Sequence, residues 1–540
     1  MAIEFKQIAG NERIFLDGKC DFTAVYSGRA FKGERYSYQI AYKSDSKIMG
    51  VKANIKSELK DFITLRLVGN VPAEFTHYAD SDTSFYERTA PGLYPDVLFP
   101  MEENFIIKPA NWYSVFVTVN VPETANAEKY DIDISFTDEN GKELGNELFV
   151  LEVLNAVLPP QKIIFTQWFH CDCIANYHNA EVFSEEFWHI TENYIKTASH
   201  SGVNMILTPI HTPPLDTKVG GERKTVQLVD VYLNKGKYTF NFDKLKRWVN
   251  MCLDCGIKYF EMAHLFTQWG AKSAPKITAT ADGEYKRLFG WETSATSDEY
   301  KEYLDAFLPE LIKVLYELGI SENTYFHISD EPSEENIDSY KAAKNSVSEH
   351  LKDFKITDAL SHYGFYENGL VENPIPSLNN AQEFIEKGCE NRWTYYCCGQ
   401  DGALPNRFFC MPLTSTRAIG LPLFKYNIEG FLQWGYNFYN TQYSVKSINP
   451  YEITDADGAF PAGDSFSVYP YKDGCVESLR SVAFYEALQD IRALEYVSAK
   501  IGREKIIELL EKEFGEITFY NYPRGIEKQI AVREIINNLI

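Results

Sequence analysis

The chain has 540 residues, too many for one hydrophobic core, so two or more domains are expected. Hydrophobic residues make up 45% and charged residues 24%, which excludes a disordered chain. Net charge is −23 with no run of Lys or Arg, which excludes the basic footprint that nucleic acid and anionic membrane surfaces require.

No apolar stretch approaches the ~20 residues of a bilayer span, so no membrane span is expected. The N-terminus, Met1-Ala-Ile-Glu-Phe-Lys-Gln-Ile8, has no apolar h-region. The cytoplasm is therefore the expected location, unless a secretory signal has been removed. Aromatic residues reach 15%, with 35 Tyr and 8 Trp. Such rings serve ordinary cores, and they also cover the apolar faces of sugars. The ten cysteines read as reduced core residues. Cys252-x-x-Cys255 and Cys171-x-Cys173 are lone pairs, whereas a structural zinc site needs four ligands. No metal and no cofactor is expected.

Residues 1–158 read as strands. Tyr36–Tyr42, Phe62–Val68, Tyr113–Val119 and Tyr130–Phe136 alternate in polarity. Asn140-Gly141 signals a hairpin in which both central positions take φ > 0, and the returning strand is Glu147–Leu154. Many strands and almost no helix predict an N-terminal β-sandwich. Pro159-Pro160 marks a linker.

From residue 162 to 498 strands and helices alternate. Strand candidates are Ile163–Phe169, Val203–Ile210, Ile257–His264, Thr324–Ser329, Phe354–Ala359, Arg392–Tyr396, Gly430–Trp434 and Ser465–Tyr469. The best helices are Asp298–Leu318, Ser333–Leu351 and Glu477–Ser498. A hairpin turning at Asn234-Lys-Gly-Lys is inserted over 226–242. Eight strands alternating with helices predict a multidomain α/β chain with a (β/α)8 barrel after the sandwich. A doubly wound sheet usually carries a Gly-rich loop after its first strand, and none is present. Residues 499–540 read as a helical appendix packed on the barrel.

Reacting groups of such barrels sit at the C-terminal ends of strands. The fourth candidate reads Tyr325-Phe-His-Ile-Ser-Asp-Glu-Pro332. Phe326 and Ile328 take the phase that faces the helices; His327, Ser329 and Glu331 take the phase that lines the interior. Polar groups do not line a closed core without a reason. Pro332 predicts an extended Glu331 that ends the strand and points into the barrel mouth. The plainer alternative is that Asp330 and Glu331 only favour the N-terminus of the next helix, a role Ser333 can also fill. Two neighbouring carboxylates cannot both ionise easily, so one is expected to be an acid at neutral pH. Glu331, facing the cleft, is the expected acid.

This pattern predicts a glycoside hydrolase. A two-carboxylate retaining enzyme needs a nucleophile ~5 Å from the acid. The strand expected to be seventh carries Trp434 and Asn437 at its top and no carboxylate; Glu429 lies at its start. One reading is then that a 2-acetamido group of the substrate attacks its own anomeric carbon. Asp330 would hold the amide N–H, and Glu331 would protonate the leaving oxygen and later deprotonate water. The rivals are a loop nucleophile, with Asp401 and Asp464 as candidates, and a barrel that binds glycans without cutting them. Strand ends offer further binding residues: His170, His211 and His264 on strands one to three, Tyr395 and Tyr396 on the sixth, and Trp434 as a sugar platform. Either tyrosine could reach the acetamido oxygen, while Asn437, Asp464 and Tyr469 could read hydroxyls. The histidines could equally be satisfied core residues, and no carboxylate set accompanies them to make a metal site.

Asp330-Glu331-Pro332, Pro91-Gly-Leu-Tyr-Pro-Asp96, Trp168-Phe-His170 and Gly463-Asp-Ser-Phe-Ser-Val-Tyr-Pro470 together resemble glycoside hydrolase family 123 over roughly residues 85–497. The resemblance implies an exo-acting β-N-acetylgalactosaminidase with substrate-assisted retention, Asp330 as stabiliser and Glu331 as acid. It also implies a glycan or glycolipid-derived oligosaccharide as partner. The absent export signal leaves open an extracellular glycan or an imported oligosaccharide.

Overall fold

The computed structural model describes residues 2–540. Up to residue 157 the chain makes two five-stranded sheets. The first runs Ile3–Ala9, Arg35–Ser44, Tyr113–Asn120, Ile63–Ala73, Gly92–Pro100 in spatial order. The second runs Ser27–Lys32, Glu143–Val157, Lys129–Thr137, Ile48–Lys56, Phe105–Ile107. Alternation decides which face is buried: Tyr130, Ile132, Ile134 and Phe136 point inward from one strand. They meet Tyr38, Ile40, Val115 and Val117 of the other sheet, and Tyr38 stacks on Phe149 with centroids 4.1 Å apart. At the hairpin only Gly141 takes positive φ, 79°. Its N–H donates to Asp138 O at 3.0 Å, making a three-residue loop in place of the expected two-residue turn.

Eight short parallel strands follow. They are Ile164–Gln167, Met205–Thr208, Tyr259–Met262, Thr324–Phe326, Lys355–Ala359, Asn373–Ile375, Trp393–Tyr396 and Gly430–Gln433, here called barrel strands one to eight. Strand one pairs with two and eight, and the ring is nearly closed between six and seven. There the Tyr395 N–H donates to Pro376 O at 3.1 Å.

This changes the expected numbering. The sixth strand is Asn373–Ile375, so Trp393–Tyr396 is seventh and Gly430–Gln433 eighth. Asn373-Pro-Ile is too short to show a period, and its proline argues against a central strand. The segment expected as the eighth strand instead forms Val468–Tyr471, paired antiparallel with Gly474–Glu477 outside the barrel. The inserted hairpin, Asp230–Asn234 with Lys237–Asn241, joins a second one, Ile277–Ala281 with Glu284–Phe289, in a four-stranded sheet.

Two of the barrel helices begin at a serine cap. Ser184 accepts from Phe187 N–H ahead of Glu185–His200, and Ser297 from Tyr300 N–H ahead of Asp298–Glu317. The latter buries Tyr300, Tyr303, Leu304, Phe307, Leu308 and Leu311 at helical spacing. Ser333 makes no side-chain cap; a 3-10 turn precedes Ile337–Leu351. The last helix, Ile526–Asn537, packs on more than the barrel. Arg533 donates to Glu34 of the sandwich at 2.8 and 2.9 Å and to Asp490 of helix Leu479–Ile501 at 3.1 Å. Among the described residues no helix is long and apolar enough to cross a membrane.

Candidate active site

Barrel strand four stops at Phe326, but the chain after it is still held. His327 O and Ile328 O accept from Leu265 and Phe266 N–H at 3.0 and 3.1 Å. Asp358 of strand five accepts from Ile328 N–H at 3.0 Å and from Tyr340 OH at 2.6 Å. Asp330 and Glu331 therefore leave a clamped backbone at the barrel mouth. Glu331 is not extended, as its proline neighbour predicts, but takes φ 43°. Its N–H donates to Ala359 O at 3.0 Å, and its Oε1 accepts from Tyr395 OH at 2.6 Å. Tertiary bonds thus impose a backbone conformation that a non-glycine residue adopts rarely and at a cost.

Asp330 is half-buried and Glu331 exposed at its side of the cleft. Burial, then the neighbouring Glu331 charge, pushes the Asp330 carboxyl well above the usual carboxylate range. Asp330, the more buried of the two, is thus a lifted carboxyl of the pair, where the sequence expectation named Glu331.

Beneath the pair lies a closed polar core. Glu261 accepts from Thr166 Oγ1, from Trp168 Nε1 at 3.2 Å and from His327 Nε2 at 3.0 Å. His327 Nδ1 stands 3.4 Å from Asp358. Burial alone would lower His327, but the neighbouring Glu261 and Asp358 carboxylates outweigh it and raise it to about 9. His264 stacks on His327 at 4.3 Å. Ligand atoms of His264, His327 and Asp358 approach within 4.8 Å of one another. Both nitrogens of His327 thus face carboxylates, Nε2 toward Glu261 and Nδ1 toward Asp358.

A cleft of about 750 Å³, counted with its open mouth, stands over this core. Of the residues chosen from the sequence, Asp330, Glu331, Tyr395 and Trp434 line it. Trp434 tops strand eight; its Nε1 donates to Asp464 Oδ2 at 3.0 Å, and Phe438 and Phe460 flank its ring. Tyr395 spends its hydroxyl on Glu331.

The other seven lie elsewhere. His170 is buried, Nε2 3.0 Å from Trp434 O and Nδ1 3.1 Å from Arg223 Nη2, and burial lowers it to about 3. His211 and His264 are buried with no partner at either ring nitrogen, and burial holds both below the ordinary histidine range, His211 at about 4. Tyr396 packs outward on Phe431 and Phe484, because neighbours along a strand face opposite sides. Asn437 clasps the His170 backbone, accepting from its N–H at 2.9 Å and donating to its O at 3.1 Å. Asp464 is buried behind Trp434. Tyr469 donates to Asp96 at 2.6 Å in the joint between sandwich and barrel. Asp401, the other candidate loop nucleophile, accepts from Ser81 Oγ and does not line the cleft.

Sequence reasoning missed Asp216, Trp269 and Tyr443, which do line it. All three sit on loops after strand ends, at φ 36°, 61° and 60°. Loop residues show no periodicity; the only signals are the Pro213-Pro214 and Trp269-Gly270 turns. Burial raises Asp216 to about 6 against a hydrogen bond from Tyr443 N–H at 3.0 Å. The vicinal Cys397 and Cys398 were missed as well; they follow strand seven and complete the wall.

No curated protein sequence matches the chain. The solved structure of a family 123 glycoside hydrolase from Clostridium perfringens, described in work on glycolipid glycan hydrolysis, superposes with TM-score 0.75. It covers 99% of this chain and 98% of its own at 17% identity, a likeness of fold. A Bacteroides uniformis β-glucuronidase reaches only TM-score 0.31 at 12% identity, over 86% of this chain and 48% of its own. The family model for the glycoside hydrolase 123 catalytic domain matches residues 168–497, more than half of the chain and all of the cleft just described, so the protein belongs to glycoside hydrolase family 123.

Proposed function

We propose that this glycoside hydrolase releases terminal β-linked N-acetylgalactosamine from glycans of the glycolipid type, with retention and with the substrate's 2-acetamido group as nucleophile. The observation that carries this reading is the adjacent Asp330-Glu331 pair at the mouth of the barrel, with neither Asp401 nor Asp464 opposite it. The Clostridium perfringens relative, described as acting on glycolipid glycans, supports the substrate class.

The pair divides the work by environment. In the free protein Asp330 holds a shared proton more readily than an ordinary carboxyl, because burial and the Glu331 charge disfavour its anion. An acetamide N–H donated to Asp330 would favour that anion. A sugar covering Glu331 would desolvate it and favour its neutral form. Binding would thus move the proton toward Glu331, beside the leaving oxygen, while Asp330 steadies the charge growing on the acetamido nitrogen. Tyr395, bonded to Glu331, would hold the acid in place. The departing oxygen takes the Glu331 proton as the acetamido oxygen bonds to the anomeric carbon. Water, deprotonated by Glu331, then opens the oxazoline-like intermediate.

Asp216 supplies one specific alternative, a nucleophilic carboxylate within the cleft. Its hydrogen bond to the Tyr443 backbone and its place on a loop argue for a role in holding the rim. Aryl glycosides separate the two. Turnover of the β-N-acetylgalactosaminide, and none of the galactoside lacking the acetamido group, is the expected result; equal turnover of both would sink the substrate-assisted mechanism. In the same assay Glu331→Gln should lose 10²-fold or more, order of magnitude, with poor leaving groups and far less with nitrophenolates. Asp330→Asn should lose about as much whatever the leaving group.

A further inference from the structure

We infer that Trp269 and Tyr443 form a second subsite at the cleft mouth, an aromatic platform for the sugar on the leaving-group side of the scissile bond. This rests on the glycosidase reading above and names residues that read the other half of the substrate.

The cleft is graded in depth. Trp168 and Tyr395 at its base are buried, whereas Trp269 and Tyr443 at its rim are 38% and 39% exposed. An exo-acting enzyme places the terminal sugar at the base, so the next ring of the chain lies at the rim. The two rings meet edge to face with centroids 5.8 Å apart, giving a rigid apolar ledge that opens on solvent. With more than a third of each residue exposed, core packing does not account for them.

The ledge is also built before any ligand arrives. Trp269 and Tyr443 both hold positive φ, a conformation that persists only when the surroundings impose it. The Trp269 N–H donates to Asp330 O at 2.8 Å, fixing that ring's root to the acid pair. The Tyr443 N–H donates to Asp216 Oδ2 at 3.0 Å, and its carbonyl accepts from Lys218 N–H at 3.0 Å. Three loops, after strands two, three and eight, are thus stitched into one rim whose outward side chains are flat rings. A pyranose presents an apolar face of matching shape.

Calorimetry in the Glu331→Gln background tests this without turnover, using methyl β-N-acetylgalactosaminide and the same sugar β-linked to galactose. The disaccharide should bind about tenfold more tightly than the methyl glycoside. Trp269→Ala should cost the disaccharide at least fivefold more affinity than it costs the methyl glycoside, an order-of-magnitude expectation from ring stacking. Trp269→Tyr should restore part of the difference. Tyr443→Gly, which relieves the positive φ while deleting the ring, gives the second reading and should act in the same direction. Equal losses for both ligands, or a disaccharide advantage that survives both variants, would overturn the subsite. Failure of aryl glycoside turnover strikes the mechanism instead, and leaves this binding difference to be read; absence of binding by either sugar removes both.

Discussion

At Asp330 burial and a like charge act together, and they can be pulled apart. Glu331→Gln deletes the repulsion but not the burial, which is the larger of the two causes. The Asp330 carboxyl should therefore titrate lower in the variant than in the wild type, yet still above 3.8, as followed by carboxyl carbon NMR. Asp464 is a second lifted carboxyl, raised by burial to about 7 while Trp434 Nε1 donates to it. A folded pKa above the unfolded one means stability that is full below pH 4 and is lost as pH rises toward 7. Asp464→Asn removes that loss. Between pH 5 and pH 8 the balance of stability should move toward the variant by up to about 3 kcal/mol, measured by denaturant unfolding at the two pH values.

Elements in this barrel are short, so single backbone contacts carry much of the placement. Strand eight shows this at both ends. Gly430 faces the Trp393 ring of strand seven, where an added Cβ would come within 2.1 Å. Gly435, just past Trp434, lies against the backbone of Ser465, where a Cβ would stand 2.3 Å from its oxygen. Neither glycine has positive φ; each is needed for closeness of approach. Gly435→Ala should push strand eight away from Ser465 and carry Trp434 with it, lowering the melting temperature and weakening sugar binding. Gly236→Ala is the control: it sits at φ 74° with nothing within 4 Å, so it should cost about 1 kcal/mol and leave binding alone.

Across the whole molecule, the sandwich and the barrel are joined by buried charge. Arg480 of the long helix donates to Asp96 of the sandwich at 3.0 and 2.9 Å, both side chains being fully buried. It also donates to Gly463 O and Phe466 O, and Tyr469 donates to the same Asp96. Two of the segments that carried the family resemblance, Pro91–Asp96 and Gly463–Pro470, are therefore the two sides of this joint. Asp96→Asn leaves a buried guanidinium without its anion and should cost roughly 3–5 kcal/mol. Unfolding followed by Trp fluorescence should show the loss, with activity retained at temperatures where the variant is still folded. A second seam, where Arg533 of the last helix meets Glu34 and Asp490, ties the C-terminus to both bodies.

What the sequence alone determined was local. Alternation identified the first strands, helical spacing identified the helices, and a polar phase ending in Asp-Glu-Pro marked the pair at the mouth. Each signal is written in neighbouring residues, because side-chain direction repeats every two or about 3.6 positions. Tertiary structure decided what depends on residues far apart. It made a strand of Asn373-Pro-Ile, turned Glu331 to positive φ and buried Asp330 enough to raise its carboxyl. It sent Tyr469 to Asp96, and drew Asp216, Trp269 and Tyr443 from three loops to one rim. A strand end tells which residues stand near a barrel mouth, but burial and hydrogen-bond partners, which fix charge and direction, come only from the chain's distant parts.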